Sequence, residues 1–146
     1  MNTKYFATLG FMILLLQAAG EVCAAETVVA GPATIQNRLV FQASEDGSRA
    51  WNAILSNIEN VRQELGRVDV AVVAIGPGLG MLKADALTAN RVQDAMKAGV
   101  RFVACGNSMQ AQHLTKDDMI DGIDYAKAGY VEVMRLQQQG WAYIRP

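Results

Sequence analysis

Cys105 is the residue of this sequence with the clearest capacity for chemistry, and it ends the apolar segment 99–105 (Gly-Val-Arg-Phe-Val-Ala-Cys). The β-branched and aromatic residues of that segment favour a buried strand. Gly106 permits a tight turn directly after it, and Asn107 or Ser108 can accept a hydrogen bond from the first free amides of a helix. We therefore expect Cys105 at the carboxyl end of a strand and beside a helix N-terminus.

That position has two interpretations, and the sequence leaves both open. The positive end of a helix dipole favours the thiolate over the thiol, and ligands of open parallel sheets bind at the carboxyl edge of the strands. On this interpretation Cys105 is a nucleophile, and Asn107 and Ser108 beside it are candidate binding residues. Free cysteine is also among the residue types most often buried, as a small hydrophobic side chain. On that interpretation Cys105 only packs.

The glycine-rich segment 76–80 (Gly-Pro-Gly-Leu-Gly) matches neither of the common phosphate-binding motifs. The dinucleotide fingerprint requires a glycine where Met81 stands, and the P-loop requires a Gly-Lys-Ser/Thr sequence that this segment lacks. The backbone amides of Gly76 and Gly78 could still form an anion-binding nest. A structural turn is the favoured interpretation.

Two other polar motifs have structural explanations. Thr115 and Asp118 have the spacing of a helix capping box, and no histidine or further carboxylate is spaced to complete a metal site with Asp117. His113 is the only histidine, and a general base at this position is conceivable, although a surface histidine is the simpler expectation. We therefore expect no metal and no organic cofactor.

The composition predicts a globular protein that does not bind nucleic acid. The chain has 146 residues, of which 51% are hydrophobic and 18% charged, and 13 Lys and Arg against 14 Asp and Glu give a formal net charge of −1. No run of basic residues provides the positive patch that nucleic-acid binding requires. The length allows one domain with a sizeable core.

The first 25 residues have the pattern of a secretory signal peptide. Lys4 supplies a positive charge, residues 6–16 are almost all apolar, and small residues precede Glu26. The apolar run is too short to cross a bilayer comfortably. We expect cleavage near Ala25, a periplasmic or secreted product, and no membrane span after cleavage; an uncleaved anchor is the minor alternative.

Cleavage would also change the cysteine content of the protein. It removes Cys23 and leaves Cys105 as the only cysteine, so an intramolecular disulfide is excluded in the mature chain. A single thiol in an oxidising compartment is either buried or reactive.

After a flexible leader at 26–36, residues 37–146 alternate between apolar strands and amphipathic helices. This alternation predicts a single three-layer α/β/α domain with a five-stranded, mostly parallel sheet. The predicted strands are 38–44, 68–75, 100–105, 123–127 and 141–145, and the predicted helices are 48–65, 88–98, 108–113 and 130–139.

Five sequence segments make this domain similar to the DsrE/DsrF-like family of small α/β proteins. Together they are specific, although no single segment would suffice, and the resemblance covers residues 38–146. The segments are Ala50-Trp51-Asn52, Ile75-Gly76-Pro77-Gly78, Met81-Leu82-Lys83-Ala84, Gly99-Val100-Arg101-Phe102-Val103-Ala104-Cys105 and Gly140-Trp141-Ala142-Tyr143-Ile144-Arg145-Pro146.

The resemblance implies a function in sulfur handling. The best-understood family members belong to sulfur-relay complexes, in which a cysteine after the third strand carries sulfur as a persulfide, and Cys105 occupies that position here. The resemblance also implies a homo-oligomer, commonly a trimer or hexamer, and a protein that donates or accepts sulfur. It requires no cofactor, and it leaves open whether the protein is an enzyme of the sulfurtransferase type.

Two departures keep other functions in consideration. Relay proteins work in the cytoplasm, whereas this chain has an export signal, and many family members have no assigned activity. The first alternative is a non-catalytic oligomeric binding module in which Cys105 is buried and inert. A small-ligand protein that uses segment 76–80 is a weaker alternative.

The signal peptide leads to the first testable prediction. N-terminal sequencing of the protein recovered from the cell envelope should begin at Glu26 or Ala25, because the small residues before that point suit cleavage. A soluble cytoplasmic product that retains Met1 would contradict export.

Overall fold

The computed structural model of the protein describes residues 36–146. The predicted signal peptide, and the predicted leader except Gln36, lie outside the described residues. Among the described residues, no helix has the length and hydropathy needed to cross a membrane. The elements are β1 (Arg38–Ala43), α1 (Ser48–Leu65), β2 (Asp69–Ala74), a 3₁₀ helix (Gly76–Leu82), α2 (Ala89–Lys97), β3 (Arg101–Cys105), α3 (Gly106–Ala111), a short 3₁₀ helix (Lys116–Asp118), β4 (Asp124–Ala126), α4 (Gly129–Gln138) and β5 (Ala142–Ile144).

The five strands form one sheet in the order β4-β3-β2-β1-β5. All four neighbouring pairs are parallel, and each connection between successive strands contains a helix, as parallel pairing requires. The predicted α/β fold with a five-stranded, mostly parallel sheet is confirmed, and the sheet is parallel throughout.

The central position of β2 in the sheet explains why its residues form a continuous apolar run. From Val70 to Ala74 no residue is more than 2% exposed. Both faces of a central parallel strand are covered, so its side chains have no polar side to face. The flanking strands β4 and β5 have three residues each, and their residues are mostly exposed.

The two faces of the sheet pack against different helices, because successive side chains of a strand point to opposite faces. One face includes Phe41, Val72 and Phe102 and packs against buried residues of α1, α2 and α3. The other face includes Val103 and Cys105 and packs against α4. Cys105 therefore lies on the face that α4 covers.

The segment after β2 is a 3₁₀ helix whose packing requires glycine. A Cβ at Gly78 would lie 2.0 Å from the carbonyl oxygen of Ala43, so a larger residue would force the two backbones apart. The close approach lets Leu79, Met81 and Leu82 reach the core, where none of the three is exposed. Segment 76–80 thus has the structural role that the sequence favoured.

The predicted capping box is confirmed. The Asp118 carboxylate accepts hydrogen bonds from the Thr115 N–H at 2.7 Å and the Thr115 hydroxyl at 2.8 Å. These bonds, the backbone bond first, hold the pKa of Asp118 below its usual value. The helical segment that they begin has only three residues.

Candidate functional site

Cys105 ends β3, and α3 begins at the next residue, Gly106. The prediction that Asn107 or Ser108 caps this helix through its side chain is wrong: both lie in the first helical turn, and no side-chain capping bond is present. The helix starts two residues earlier than predicted, at a position that packs against the end of β4: a Cβ at Gly106 would lie at an ordinary van der Waals distance, 3.4 Å, from the Ala126 carbonyl oxygen.

The sulfur of Cys105 accepts a hydrogen bond from the first residue of α4. The Gly129 N–H donates to Cys105 Sγ at 3.2 Å. A Cβ at Gly129 would lie 2.7 Å from Ile75 Cγ1 and 3.1 Å from Cys105 Cβ. Only glycine therefore brings the start of α4 this close to the thiol.

Ser108 connects the thiol to the segment after β2. Its Oγ accepts a hydrogen bond from the Gly76 N–H at 2.9 Å, which leaves the hydroxyl proton free to interact with the Cys105 sulfur. Gln112 adds a second connection, because its Nε2 donates to the Gly76 carbonyl at 2.7 Å. The ends of β2 and β3 are thus joined around the thiol.

Opposing effects set the pKa of Cys105. Burial raises the pKa, whereas hydrogen bonding by the Ser108 hydroxyl, the Gly129 N–H and the backbone amides of Ser108 and Asn107 lowers it, and the net pKa of the thiol is below its ordinary value. Cys105 is the residue directly before α3, and the first amides of that helix act on its sulfur although no side-chain capping bond of standard geometry is present. The site therefore stabilises the thiolate, relative to that of an ordinary cysteine, even though the thiol is buried.

Access to the sulfur is restricted. Cys105 is only 4% exposed, and the turn Lys127-Ala128-Gly129 between β4 and α4 leads directly to the amide that contacts it. The site thus combines a feature of each interpretation from sequence, a lowered pKa and a buried thiol.

Two of the four predicted binding residues, Gly76 and Gly78, already use their amides within the protein. The Gly76 N–H donates to Ser108, and the Gly78 N–H donates to the Ile75 carbonyl at 3.1 Å. Gly78 is also buried. An anion-binding nest needs free amides, so these contacts favour the structural turn.

The remaining candidates do not join the thiol site. His113 is exposed, has a φ of 55°, and is not among the groups that act on the pKa of Cys105. Across residues 36–146, no group of three His, Cys, Asp or Glu is placed to hold a metal ion.

Gly129 is the site residue that the sequence did not reveal. The predicted helix began one residue later, at Tyr130, and a glycine before a helix is an ordinary boundary signal. Its contact with Cys105 arises because β4 pairs beside β3, with Ala126 opposite Cys105. Sequence order alone does not specify that neighbour.

Replacing Gly129 with alanine tests the hydrogen bond to sulfur. The new Cβ should push the start of α4 away from Ile75 and Cys105, weaken the N–H to Sγ bond, and raise the pKa of the thiol, because one of the hydrogen bonds that lower it is weakened. The measurement is the rate of alkylation against pH. Gly80→Ala is the matched control, because its Cβ would crowd Trp51 at 2.6 Å and does not touch the thiol. An unchanged midpoint in folded Gly129→Ala protein would contradict a role for this bond.

Comparisons with known proteins place this site in a family. The model of the DsrE/DsrF-like family matches residues 37–146. A search of curated proteins finds no match. Among solved structures, MTH1491 of Methanobacterium thermoautotrophicum, described as a protein of unknown function, is 35% identical with a TM-score of 0.74, and the alignment covers 76% of this chain and 100% of that one.

Two more distant structures share the fold. The ychN protein of E. coli is 13% identical with a TM-score of 0.65, over 77% of this chain and 100% of that one. BT1422 of Bacteroides thetaiotaomicron, of unknown function, is 11% identical with a TM-score of 0.63, over 75% and 95%. The family match spans the whole described domain after Gln36, and the chain therefore belongs to the DsrE/DsrF-like family.

Proposed function

We propose that the mature protein is an exported sulfur-handling protein that carries sulfane sulfur as a persulfide on Cys105. The observation that supports this function best is the set of hydrogen-bond donors around the Cys105 sulfur, which lowers the pKa of the thiol in spite of burial. A cysteine that only fills space needs no such donors. Membership of the DsrE/DsrF-like family adds support, because sulfur relay occurs in that family.

The chemistry requires the thiolate twice. The Cys105 thiolate attacks the sulfane sulfur of a donor; a new S–S bond forms, and the donor's leaving group departs with the electrons of the broken bond. An acceptor thiolate then attacks the outer sulfur, and Cys105 leaves as a thiolate. The Gly129 N–H and the Ser108 hydroxyl stabilise the same negative sulfur in both steps, as nucleophile and as leaving group.

A second candidate function has a specific observation in its favour. The 4% exposure of Cys105 is what a packing residue would show, and it favours a non-catalytic oligomeric module of the same fold. The two candidates differ in one property that can be measured in the folded protein, the reactivity of the thiol.

The decisive experiment measures that reactivity and the uptake of sulfur. Because hydrogen bonds lower the pKa of Cys105, the alkylation rate of the mature protein should reach half its maximum below the pH expected for free cysteine, about 8.5. Intact mass should show one added sulfur atom after incubation with polysulfide, and the added atom should disappear with a reducing thiol. Cys105→Ser is the blank for both measurements.

The same shift has a consequence for stability. A folded-state pKa below the unfolded value adds stability as pH rises through the folded pKa, and the full effect is present above the unfolded value. Cys105→Ser should therefore lose more stability, relative to the native protein, in alkaline than in acidic solution.

The alkylation experiment also has an outcome that rejects the carrier function. If Cys105 is alkylated only after the protein unfolds, the inert module replaces the carrier function.

We also propose that a second copy of the chain covers the outer side of α4 in a homo-oligomer. Tyr130 is 64% exposed and Met134 48% exposed on this helix. Val131 of α4, with Tyr143 and Ile144 of β5, adds further exposed apolar surface. Apolar surface concentrated on neighbouring elements is typical of association sites.

Light scattering at micromolar concentration should therefore show a species larger than a monomer. Tyr130→Lys with Met134→Lys should shift it toward the monomer, because the charges would have to be buried in the interface. Leu87→Lys is the control, since this leucine is 90% exposed and lies on neither α4 nor β5. A monomer in the unmodified protein would contradict assembly.

A further inference from the structure

Two side chains one helical turn apart bind both backbone polar groups of Gly76. The Ser108 Oγ accepts a hydrogen bond from the Gly76 N–H at 2.9 Å, and the Gln112 Nε2 donates to the Gly76 carbonyl at 2.7 Å. The Gln112 N–H also donates to the Ser108 carbonyl at 3.1 Å. Residues at this helical spacing lie one above the other, so Ser108 and Gln112 act together on one glycine.

Gly76 is the residue whose orientation these bonds fix. Its φ of 55° lies in the left-handed region, and glycine has more backbone freedom than any other residue. The peptide before Gly76 is held at the Ile75 carbonyl by the Gly78 N–H at 3.1 Å, and the peptide after it is held by Gln112. With both peptides held, the Gly76 N–H stays aligned with the Ser108 hydroxyl.

That alignment matters because a serine hydroxyl can rotate. It has one proton and two acceptor lone pairs, and in helices the proton commonly turns to a backbone carbonyl of the preceding turn. The Gly76 N–H occupies one acceptor position on the Ser108 Oγ, and the Ser108 hydroxyl forms a hydrogen bond with Cys105. The bond from Gly76 therefore limits the rotation that would take the proton away from the thiol.

The Ser108 hydroxyl is the donor with the largest effect on the thiol. Burial raises the pKa of Cys105, and the hydroxyl lowers it more than the amides of Gly129, Ser108 or Asn107 do. Among the described residues, no charged side chain contributes to this shift. The amides are fixed by the backbone, whereas the hydroxyl can turn without any movement of the chain, so the hydroxyl depends most on a neighbour that directs it.

We propose that Gln112 is a positioning residue for the Cys105 thiolate: by holding Gly76, it keeps the Ser108 hydroxyl proton directed at the sulfur. This inference rests on the proposed function, in which the sulfur is negative both as nucleophile and as leaving group. Gln112 is exposed and is not among the groups that act directly on Cys105. Its effect passes through Gly76 and Ser108.

The first test is Gln112→Met, which keeps the length of the side chain and removes its amide. The thiolate is followed by its ultraviolet absorbance against pH, with the Cys105→Ser protein subtracted so that the tyrosines cancel. This titration needs no reagent to reach the buried sulfur. The midpoint should move to higher pH, because the Ser108 hydroxyl stabilises the thiolate less when it is free to turn.

Gln110→Met is the matched control for this titration. Gln110 is exposed on the same helix and lines the groove between α3 and β4 instead of holding Gly76. Its replacement should leave the midpoint where it is in the native protein. A midpoint that is the same in Gln112→Met and in the native protein would overturn the inference.

A double-mutant cycle with Ser108→Ala shows whether the glutamine acts through the serine. Ser108→Ala removes the hydroxyl and should raise the midpoint at least as far as Gln112→Met does. Adding Gln112→Met to Ser108→Ala should cause no further shift. An equal shift in the presence and absence of the hydroxyl would mean that Gln112 only supports the local structure, and the positioning role would be rejected.

Sulfur uptake separates this inference from the proposed function. In the pH range below both midpoints, Gln112→Met should gain sulfur from polysulfide about twofold to fourfold more slowly than the native protein, because the loss of thiolate outweighs the higher nucleophilicity of a more basic sulfur. If the native protein gains no sulfur but the titrations behave as expected, the carrier function fails and the positioning role stands. If both proteins gain sulfur equally and their midpoints coincide, the carrier function stands and the positioning role is rejected.

Discussion

The structure depends on burying the inner strands of a parallel sheet on both faces. β2 and β3 are enclosed by helices, so their side chains are apolar and their backbone groups pair only with neighbouring strands. The chain must leave this dry layer at the carboxyl end of each strand, and there it changes at once from strand to helix. Cys105 is the last buried residue of β3 before that change. Its sulfur therefore lies beside the first amides of α3 and α4, which have no hydrogen-bond acceptor in a neighbouring strand.

Those amides influence whether the Cys105 sulfur is protonated or charged. Burial alone would keep Cys105 neutral, because a charged sulfur in an apolar layer loses its hydration. The Gly129 N–H and the Ser108 hydroxyl replace part of that hydration with fixed donors, and the net pKa is lowered. A favoured thiolate and an accessible thiolate are nevertheless different properties. The first depends on donors that are already in place, and the second on how much of the thiol reaches the surface, which is only 4% of its area.

Local patterns in the sequence were sufficient for the architecture and for the position of Cys105. Strand and helix periodicities are carried by neighbouring residues, so the order of elements and the strand that ends at Cys105 followed directly. The contacts that define the site were not local. Gly129 meets Cys105 only because β4 lies beside β3 in the sheet, and α3 starts at Gly106, where the chain packs against the end of the same strand. The side chains of Asn107 and Ser108 looked like caps because capping propensity ignores such packing.

Helix α4 carries both a donor to the Cys105 sulfur and exposed apolar side chains. Among the described helices, α4 packs on the Cys105 face of the sheet, and Val133 and Leu136 are its buried hydrophobic side chains there. Its first residue holds the sulfur, whereas Tyr130 and Met134 leave apolar surface uncovered. The donor to the sulfur and the exposed apolar side chains therefore lie in one helix, with Gly129 at its first position and Tyr130 next to it. A partner that packs on Tyr130 and Met134 would contact the same helical turn that donates to Cys105, whereas the opposite face of the sheet is packed by three other helices.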